Sequence, residues 1–346
     1  MLFGSNSQIP EVGITIPCSE VEEPERAVNL MQSRIMAKKN QTGEVAKATA
    51  GGLKGVQEDL MTLTKARLSF LVVLTTLFGY LVAARSSGDF SWATLFHTLV
   101  GTILAASGGA VFNQLMEVEQ DSRMQRTSGR PLPGNRMPKP MAFIIGWLLC
   151  AFGIIHLGMK VNMVAASMAA ATLLTYLFIY TPMKRVSSFN TIVGGVSGAL
   201  PPLIGWAAGG QPLWTVGGLF LFALLFFWQM PHFAAINWMY REEYAKGGFK
   251  MWSNDDETGK KTARIAIFFS VLILLLGLST PLLTPVMSAW GLIGGAVLGL
   301  LMLWLSVKFL KSGDRNDARR LFFYTLLYLP LMMIVSYIAW QGPLNH

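Results

Sequence analysis

The chain has 346 residues, of which 52% are hydrophobic and only 14% charged, and its formal net charge is +9. Soluble domains carry roughly 25% charged residues, so this composition excludes a pair of ordinary soluble domains and predicts a polytopic membrane protein. The basic excess belongs in membrane-flanking loops and not on nucleic acid, since the sequence shows no interleaved basic and aromatic surface.

Residues 1–55 are polar, poor in aromatics and rich in Glu, Lys and Gln, which predicts a disordered cytoplasmic tail. Within it, Arg26–Lys39 reads either as a short amphipathic helix on the membrane or as a solvated helix without a particular role. The first 60 residues contain no apolar core segment, so no secretory signal is expected. The acids Glu11, Glu20, Glu22, Glu23 and Glu25 fit a mitochondrial presequence poorly. Cys18 lies in the tail and Cys150 in an apolar stretch; they offer no metal spacing, no CxxC and no disulfide framework.

A domain over 56–346 follows, with nine apolar stretches near the ~20 residues that cross a bilayer. They run over about 67–85, 92–116, 140–159, 161–180, 190–208, 214–238, 264–283, 286–308 and 319–340. The expected fold is all-α, with nine transmembrane helices around a central cavity. A minimal link at Lys160 makes the third and fourth spans a tight hairpin, and Pro281 and Pro285 break the seventh from the eighth. Of the 28 Lys and Arg residues, all but Arg85 and Lys160 fall on one side of this alternation. That asymmetry predicts the N-terminus inside and the C-terminus outside. Small residues share helix faces at Gly101, Ala105 and Gly109, at Gly194 and Gly198, and at Gly295 and Gly299, a spacing that lets helices approach closely in lipid.

The chemistry gathers where two spans end. Asn113, Glu117 and Asp121 recur every four residues, and on a helix each such step turns about 40° and rises about 6 Å. The three polar groups therefore form one slanted stripe, followed by Arg123, Arg126 and Arg130. Glu119 points to another face and reads as solvated. A second acidic cluster, Glu242 and Glu243, follows Gln229, His232 and Asn237 of span six; the Asp255–Glu257 run reads as a solvated loop. Carboxylates beside arginines at a membrane face suit a magnesium-bridged diphosphate, because Mg²⁺ takes oxygen ligands from one or two carboxylates and from substrate phosphate. Arginine forks match phosphate oxygens, and Lys184 and Arg185 add charge from a third loop. The plainer reading is a set of charges that cap helices and pair with each other. Acids near a helix C-terminus are unfavourable by the dipole argument, and buried polar groups in a span are costly without a role. His232, beside Gln229 and after Pro231, is a candidate cavity residue, whereas His97 and His156 read as structural. Phe226, Phe227, Trp228 and Trp238 face lipid or neighbouring helices, with a minority free to steady a cation through their rings.

Taken together, Asn113, Glu117, Asp121, Met124, Arg126, Thr127, Arg130, Pro131, Leu132 and Pro133 form a pattern, N-x-x-x-E-x-x-x-D followed by M-x-R-T-x-x-R-P-L-P. It resembles the intramembrane (UbiA-type) prenyltransferases. Three further blocks, Tyr180–Ala208, Phe227–Phe233 and Arg241–Met251, agree with the branch of that family that prenylates haem. The resemblance covers about residues 55–340. The chain departs from the family pattern at Glu243-Tyr244, where Asp-Tyr is common, and at Glu117, where Asp is common.

The resemblance implies farnesyl transfer from farnesyl diphosphate to a vinyl group of haem b, with water added, giving haem O for haem–copper oxidases. It implies Mg²⁺ held by Asn113, Glu117, Asp121 and Glu243, and diphosphate or substrate contacts from Arg126, Arg130, Lys184, Arg185, Tyr244 and His232, the last facing haem. It also implies a bacterial inner membrane in preference to the mitochondrial one, with haem A synthase or oxidase assembly factors as partners. Two alternatives stand beside it: prenylation of an aromatic quinone precursor, and a transporter or haem-handling assembly protein using the charged face as a gate.

Overall fold

The computed structural model describes residues 52–279 and 288–342. Nearly all of the polar tail, including Arg26–Lys39 and Cys18, lies outside the described residues, as do Pro281 and Pro285. The chain divides into a unit ending at Glu58 and a unit over Asp59–His346. Of the first unit, 52–58 are described, and they hold the start of a helix, Leu53–Leu63.

Among the described residues of the second unit, nine helices are long and apolar enough to cross a membrane. They are Ala66–Ser87, Trp92–Met116, Lys139–Lys160, Met163–Met183, Asn190–Ala208, Val216–Met239, Lys260–Leu278, Ala289–Ser312 and Arg315–Ala339. No strand occurs among the described residues. The ninth span begins four residues earlier than its apolar stretch. Its first turns are amphipathic: Arg315, Arg319 and Arg320 are exposed, while Asp317 pairs with Arg320 at 2.8 Å. The third and fourth spans meet at a two-residue link that ends in Asn162. Its Oδ1 accepts the Ala165 N–H at 2.8 Å and its Nδ2 donates to the Ala207 carbonyl at 2.8 Å, so one side chain caps a helix and ties it to span five.

Spans two and three pack together, as do seven and eight, while span five lies against span one. Lipid tails are as apolar as Leu, so these contacts rest on close fit and interhelical hydrogen bonds. Small residues allow the fit. A Cβ on Gly205 would fall 1.9 Å from the Thr76 carbonyl, and one on Gly277 would fall 3.0 Å from Gly295. Gly101 meets span three at Leu157, but Gly109 faces Leu173 of span four, so the shared small-residue face serves two neighbours. Ser270 and Ser306 bond at 2.9 Å between spans seven and eight, and Gln229 donates to the Gly195 carbonyl at 2.7 Å between six and five.

His97 and His156 keep their structural reading: their ring nitrogens lie 3.1 Å apart, joining spans two and three. One sequence expectation changes here. Asp256 is not solvated. It is buried and accepts the Thr262 N–H at 2.8 Å, closing the turn into span seven, while Asp255 and Glu257 are exposed.

The loops after spans two, four, six and eight meet on one polar face. The Lys250 N–H donates to the Lys184 carbonyl at 2.7 Å, Arg126 packs on Tyr240 and Tyr244, and Gly313 abuts the Thr258 carbonyl. That face carries the candidate site.

Candidate active site

The polar stripe is not carried by one unbroken helix. Span two ends at Met116, Glu117 sits at a break (φ −109°, ψ 13°), and a short helix, Val118–Arg123, carries Asp121. The four-residue step nevertheless survives in the backbone, since Glu117 N–H donates to the Asn113 carbonyl at 3.1 Å and Asp121 N–H to the Glu117 carbonyl at 2.8 Å. Span six repeats this device: it runs through Pro231 to Met239, breaks at Tyr240 (φ −116°, ψ 22°) and continues as Arg241–Lys246. Both breaks lie in the sparsely populated bridge region, which turns each chain end over the cavity.

The stripe residues are almost wholly buried: Asn113 is 0% exposed, Glu117 3% and Asp121 1%. Each meets its own cation. Lys65 donates its ammonium to Asn113 Oδ1, Lys184 pairs with Glu117 at 2.8 Å, and Arg130 pairs with Asp121 at 2.6 Å. Glu119, by contrast, is exposed and pairs with Arg123 on the surface. Asn113 Nδ2 donates to Thr181 Oγ1 at 3.2 Å, which fixes the amide oxygen as the group offered to Lys65. Thr181 follows a π-helical turn, Thr175–Tyr180, and donates to the Tyr176 carbonyl at 2.7 Å. Such turns are frequent at functional sites because the extra residue re-aims the side chains beyond it. Here it places Tyr180 under the Lys184 ammonium, 4.5 Å from the ring centre.

These groups line a cavity of about 170 Å³. Its polar side holds Lys65, Glu117, Asp121, Arg126, Arg130 and Lys184; Phe233, Ile236, Phe249 and Met251 give it an apolar side. Burial brings the Lys65 ammonium down to about 7, with Arg130 adding to the effect. Burial also raises the Asp121 carboxyl above the ordinary range, against the pull of Arg130. For Lys184, burial opposes the charge, but Glu117, Tyr180 and Tyr176 together outweigh it and the ammonium titrates above its usual value.

The sequence-predicted residues do not all converge. Asn113, Glu117, Asp121, Arg126, Arg130, Lys184 and Tyr244 do, Asn113 through its bond to Lys65. Arg185 does not line the cavity; it donates to the Met116 carbonyl and caps the end of span two. Glu243 lies behind Arg126, with Oε2 3.5 Å from the Arg126 N–H, and lines a neighbouring cavity instead. His232 turns away from both. Its Nδ1 bonds Thr325 Oγ1 at 2.8 Å, and its ring stacks between Trp228 and Phe322, at 5.5 and 5.1 Å. Adjacent helix residues are about 100° apart, so Phe233 faces the cavity where His232 cannot.

Sequence reasoning did not single out Lys65, which entered only the Lys and Arg count, as one of the cations preceding span one. It occupies a left-handed turn (φ 47°) between two helices, where no periodicity marks its direction. Gln114 holds that turn by donating to the Thr62 and Leu63 carbonyls at 2.7 and 2.9 Å.

The donor chemistry fits a hard divalent cation. The buried stripe offers amide and carboxylate oxygens, and no group of three or more His, Cys, Asp or Glu forms a protein cage among the described residues. Mg²⁺ needs no such cage, since it binds through one or two carboxylates, with water and phosphate oxygens completing its shell. Asn113, Glu117 and Asp121 are the residues that could hold it, in exchange for their bonds to Lys65, Lys184 and Arg130.

Residues 72–328 match the model of the UbiA prenyltransferase family. The chain belongs to the UbiA prenyltransferase family. It is 40% identical over 282 residues to the protoheme IX farnesyltransferase of Opitutus terrae, covering 80% of this chain and 92% of that protein. Among solved structures, a digeranylgeranylglyceryl phosphate synthase superposes with a TM-score of 0.69 at 17% identity, covering 82% of this chain and 98% of that one. A UbiA homolog from Archaeoglobus fulgidus, bound to DMAPP and Mg²⁺, superposes with a TM-score of 0.55 at 12% identity, covering 81% and 99%. The fold expected from the sequence, an all-helical multi-pass membrane protein of this family, is therefore the fold observed.

Proposed function

We propose that the protein is a prenyltransferase that moves the farnesyl group of farnesyl diphosphate onto a vinyl group of haem b, with addition of water. One observation carries this reading: buried carboxylates, each matched to a separate cation, ring a cavity with an apolar side. Even with Lys65 left out, Arg126, Arg130 and Lys184 outnumber Glu117 and Asp121, so the polar side carries excess positive charge. A prenyl diphosphate has the complementary form, a polyanionic head on an apolar chain. The relatives' names supply the acceptor.

Arg126, Arg130 and Lys184 bind the diphosphate; arginine matches phosphate oxygens bidentately, and Lys184 acts as a point charge. Asn113, Glu117 and Asp121 would hold Mg²⁺, which when bound would supply charge neutralisation for the diphosphate. As the bond from farnesyl C1 to oxygen breaks, the cation array stabilises the leaving group, and the developing carbocation lies against the apolar side of the cavity. The terminal vinyl carbon of haem forms the new bond to C1. Water then adds to the inner vinyl carbon and loses a proton. The apolar side keeps bulk water from the cation until that step.

The Lys and Arg asymmetry of the loops supports a site on the cytoplasmic (or matrix) face, and our reading is of a bacterial inner membrane. Purified protein given farnesyl diphosphate, Mg²⁺ and haem b is expected to release pyrophosphate and yield a haem heavier by one farnesyl and one water, read by mass spectrometry. Turnover with an aromatic acid acceptor, and none with haem b, would sink this reading in favour of quinone-precursor prenylation.

A further inference from the structure

A second cavity, about 460 Å³, opens on the same polar face. Its volume falls within the range of about 300–1,000 Å³ usual for ligand pockets. Two glycine turns build it. Gly259 (φ +75°) and Gly313 (φ +61°) bring the loops after spans six and eight together: a Cβ on Gly313 would sit 2.3 Å from the Thr258 carbonyl, and one on Gly259 2.9 Å from the Trp238 ring.

Most charges around it, Glu242, Lys246, Glu257, Asp314 and Arg315, are exposed on the rim. Arg241 differs from them. Its guanidinium carbon lies 4.2 Å from the centre of the Trp238 ring, and its Nη1 is buried without a hydrogen-bond partner. That nitrogen is shut off from solvent, but Arg241 itself lines the cavity and, among the described residues, no ion pair engages its guanidinium, so its accessible N–H groups are open to a ligand oxygen. Packing on the Trp238 ring holds the guanidinium at the cavity, and a guanidinium suits a carboxylate.

We propose that Arg241 anchors a carboxylate of the acceptor, a propionate of the porphyrin; this rests on the reading of the protein as a haem prenyltransferase. A protoporphyrin carries both carboxylates on one edge and its vinyl groups toward the opposite edge. The second carboxylate reaches the rim cations Lys246 and Arg315. The two cavities share a wall. Tyr240 and Glu243 line the outer one, and Arg126, which lines the inner one, lies 4.8 Å over the Tyr240 ring with its N–H on Glu243. A porphyrin held by its carboxylate edge at Arg241 directs its vinyl edge along that wall toward the farnesyl diphosphate.

The test compares haem b with its dimethyl ester on the full-length protein in nanodiscs, by Soret titration, for wild type, Arg241→Gln and Arg241→Lys. Arg241→Gln is expected to weaken haem b binding by about tenfold or more, the effect of losing a charged hydrogen bond. Its affinity for the dimethyl ester and for inorganic pyrophosphate should be unchanged, and Arg241→Lys should recover part of the haem b affinity. Wild-type haem b affinity in Arg241→Gln overturns the proposal. So does an equal loss for the ester, or loss of pyrophosphate binding in both variants, since either makes Arg241 a folding residue. A wild-type protein that prenylates haem b while Arg241→Gln binds it normally rejects the anchor alone. A wild-type protein that neither binds nor prenylates haem b rejects the functional reading with it.

Discussion

The Lys65 ammonium is hydrogen-bonded to the side-chain oxygen of Asn113, the first member of the stripe. The bond joins the head of span one to the end of span two and delivers a fourth cation to the diphosphate side of the cavity. Replacing Lys65 by Met removes that charge. The expected result is a fall in kcat/KM for farnesyl diphosphate of roughly 10- to 100-fold, the worth of one hydrogen bond to a charged group, with most of it in KM. Lys65→Arg should recover part of the loss. Steady-state pyrophosphate release measures both, and an unchanged KM in Lys65→Met would reduce Lys65 to a structural partner of Asn113.

Asp121 is 1% exposed and paired to Arg130 at 2.6 Å. Asp121→Ala is expected to abolish turnover, by at least about a hundredfold, because it removes a carboxylate of the proposed metal site and leaves Arg130 without its counter-charge. The variant should still be found folded in the membrane, since Thr127 keeps its bond to the Asp121 carbonyl and the backbone turn is held independently of the carboxylate. Full turnover in Asp121→Ala would remove the stripe from the mechanism.

His232 gives the sharpest contrast between sequence and structure. The sequence suggests a haem-facing residue; the structure stacks it between Trp228 and Phe322 and bonds it to Thr325. His232→Phe is therefore expected to cost about 1 kcal/mol of stability, from the one bond lost to Thr325, whose hydroxyl still donates to the Phe322 carbonyl, and to preserve turnover per folded molecule. Thermal inactivation and kcat measured on the same preparation separate the two. Lost kcat with unchanged thermal stability would return His232 to the haem site.

The nine spans were legible because each is a run of apolar residues about as long as the hydrocarbon is thick, and the polar loops alternate with them. The stripe was legible because Asn113, Glu117 and Asp121 keep a four-residue step even across the break at Glu117. Three things were not. Lys65 lies in a left-handed turn that no helical period describes. Arg185 and Lys184 are neighbours in sequence, yet one caps a helix while the other enters the cavity. The pairing of His97 with His156 depends on how spans two and three cross, which small residues at Gly101 and Gly153 permit but do not announce.

That dependence on close helix crossings gives the last prediction. Span five lies on span one backbone to backbone. A Cβ on Gly205 would fall 1.9 Å from the Thr76 carbonyl and 2.6 Å from the Tyr80 nitrogen, and Thr76 Oγ1 donates to the Pro201 carbonyl at 3.1 Å beside it. No flexible side chain is there to yield, so Gly205→Val must push the two spans apart. Overpacking of this kind costs about 1–3 kcal/mol. The damage should not stay local. Span one begins beside Lys65, and span five carries Asn190 and Thr191, both in the cavity wall. Separating the spans moves those groups relative to the stripe. Gly205→Val is thus expected to lower both thermal stability and turnover, whereas Gly158→Ala, whose added methyl meets only Met163 and Ala166 at 3.4 Å or more, should leave both near wild type. Melting curves and pyrophosphate release on the two variants check this. Normal stability in Gly205→Val would mean that spans one and five do not approach as closely as the backbone distances state.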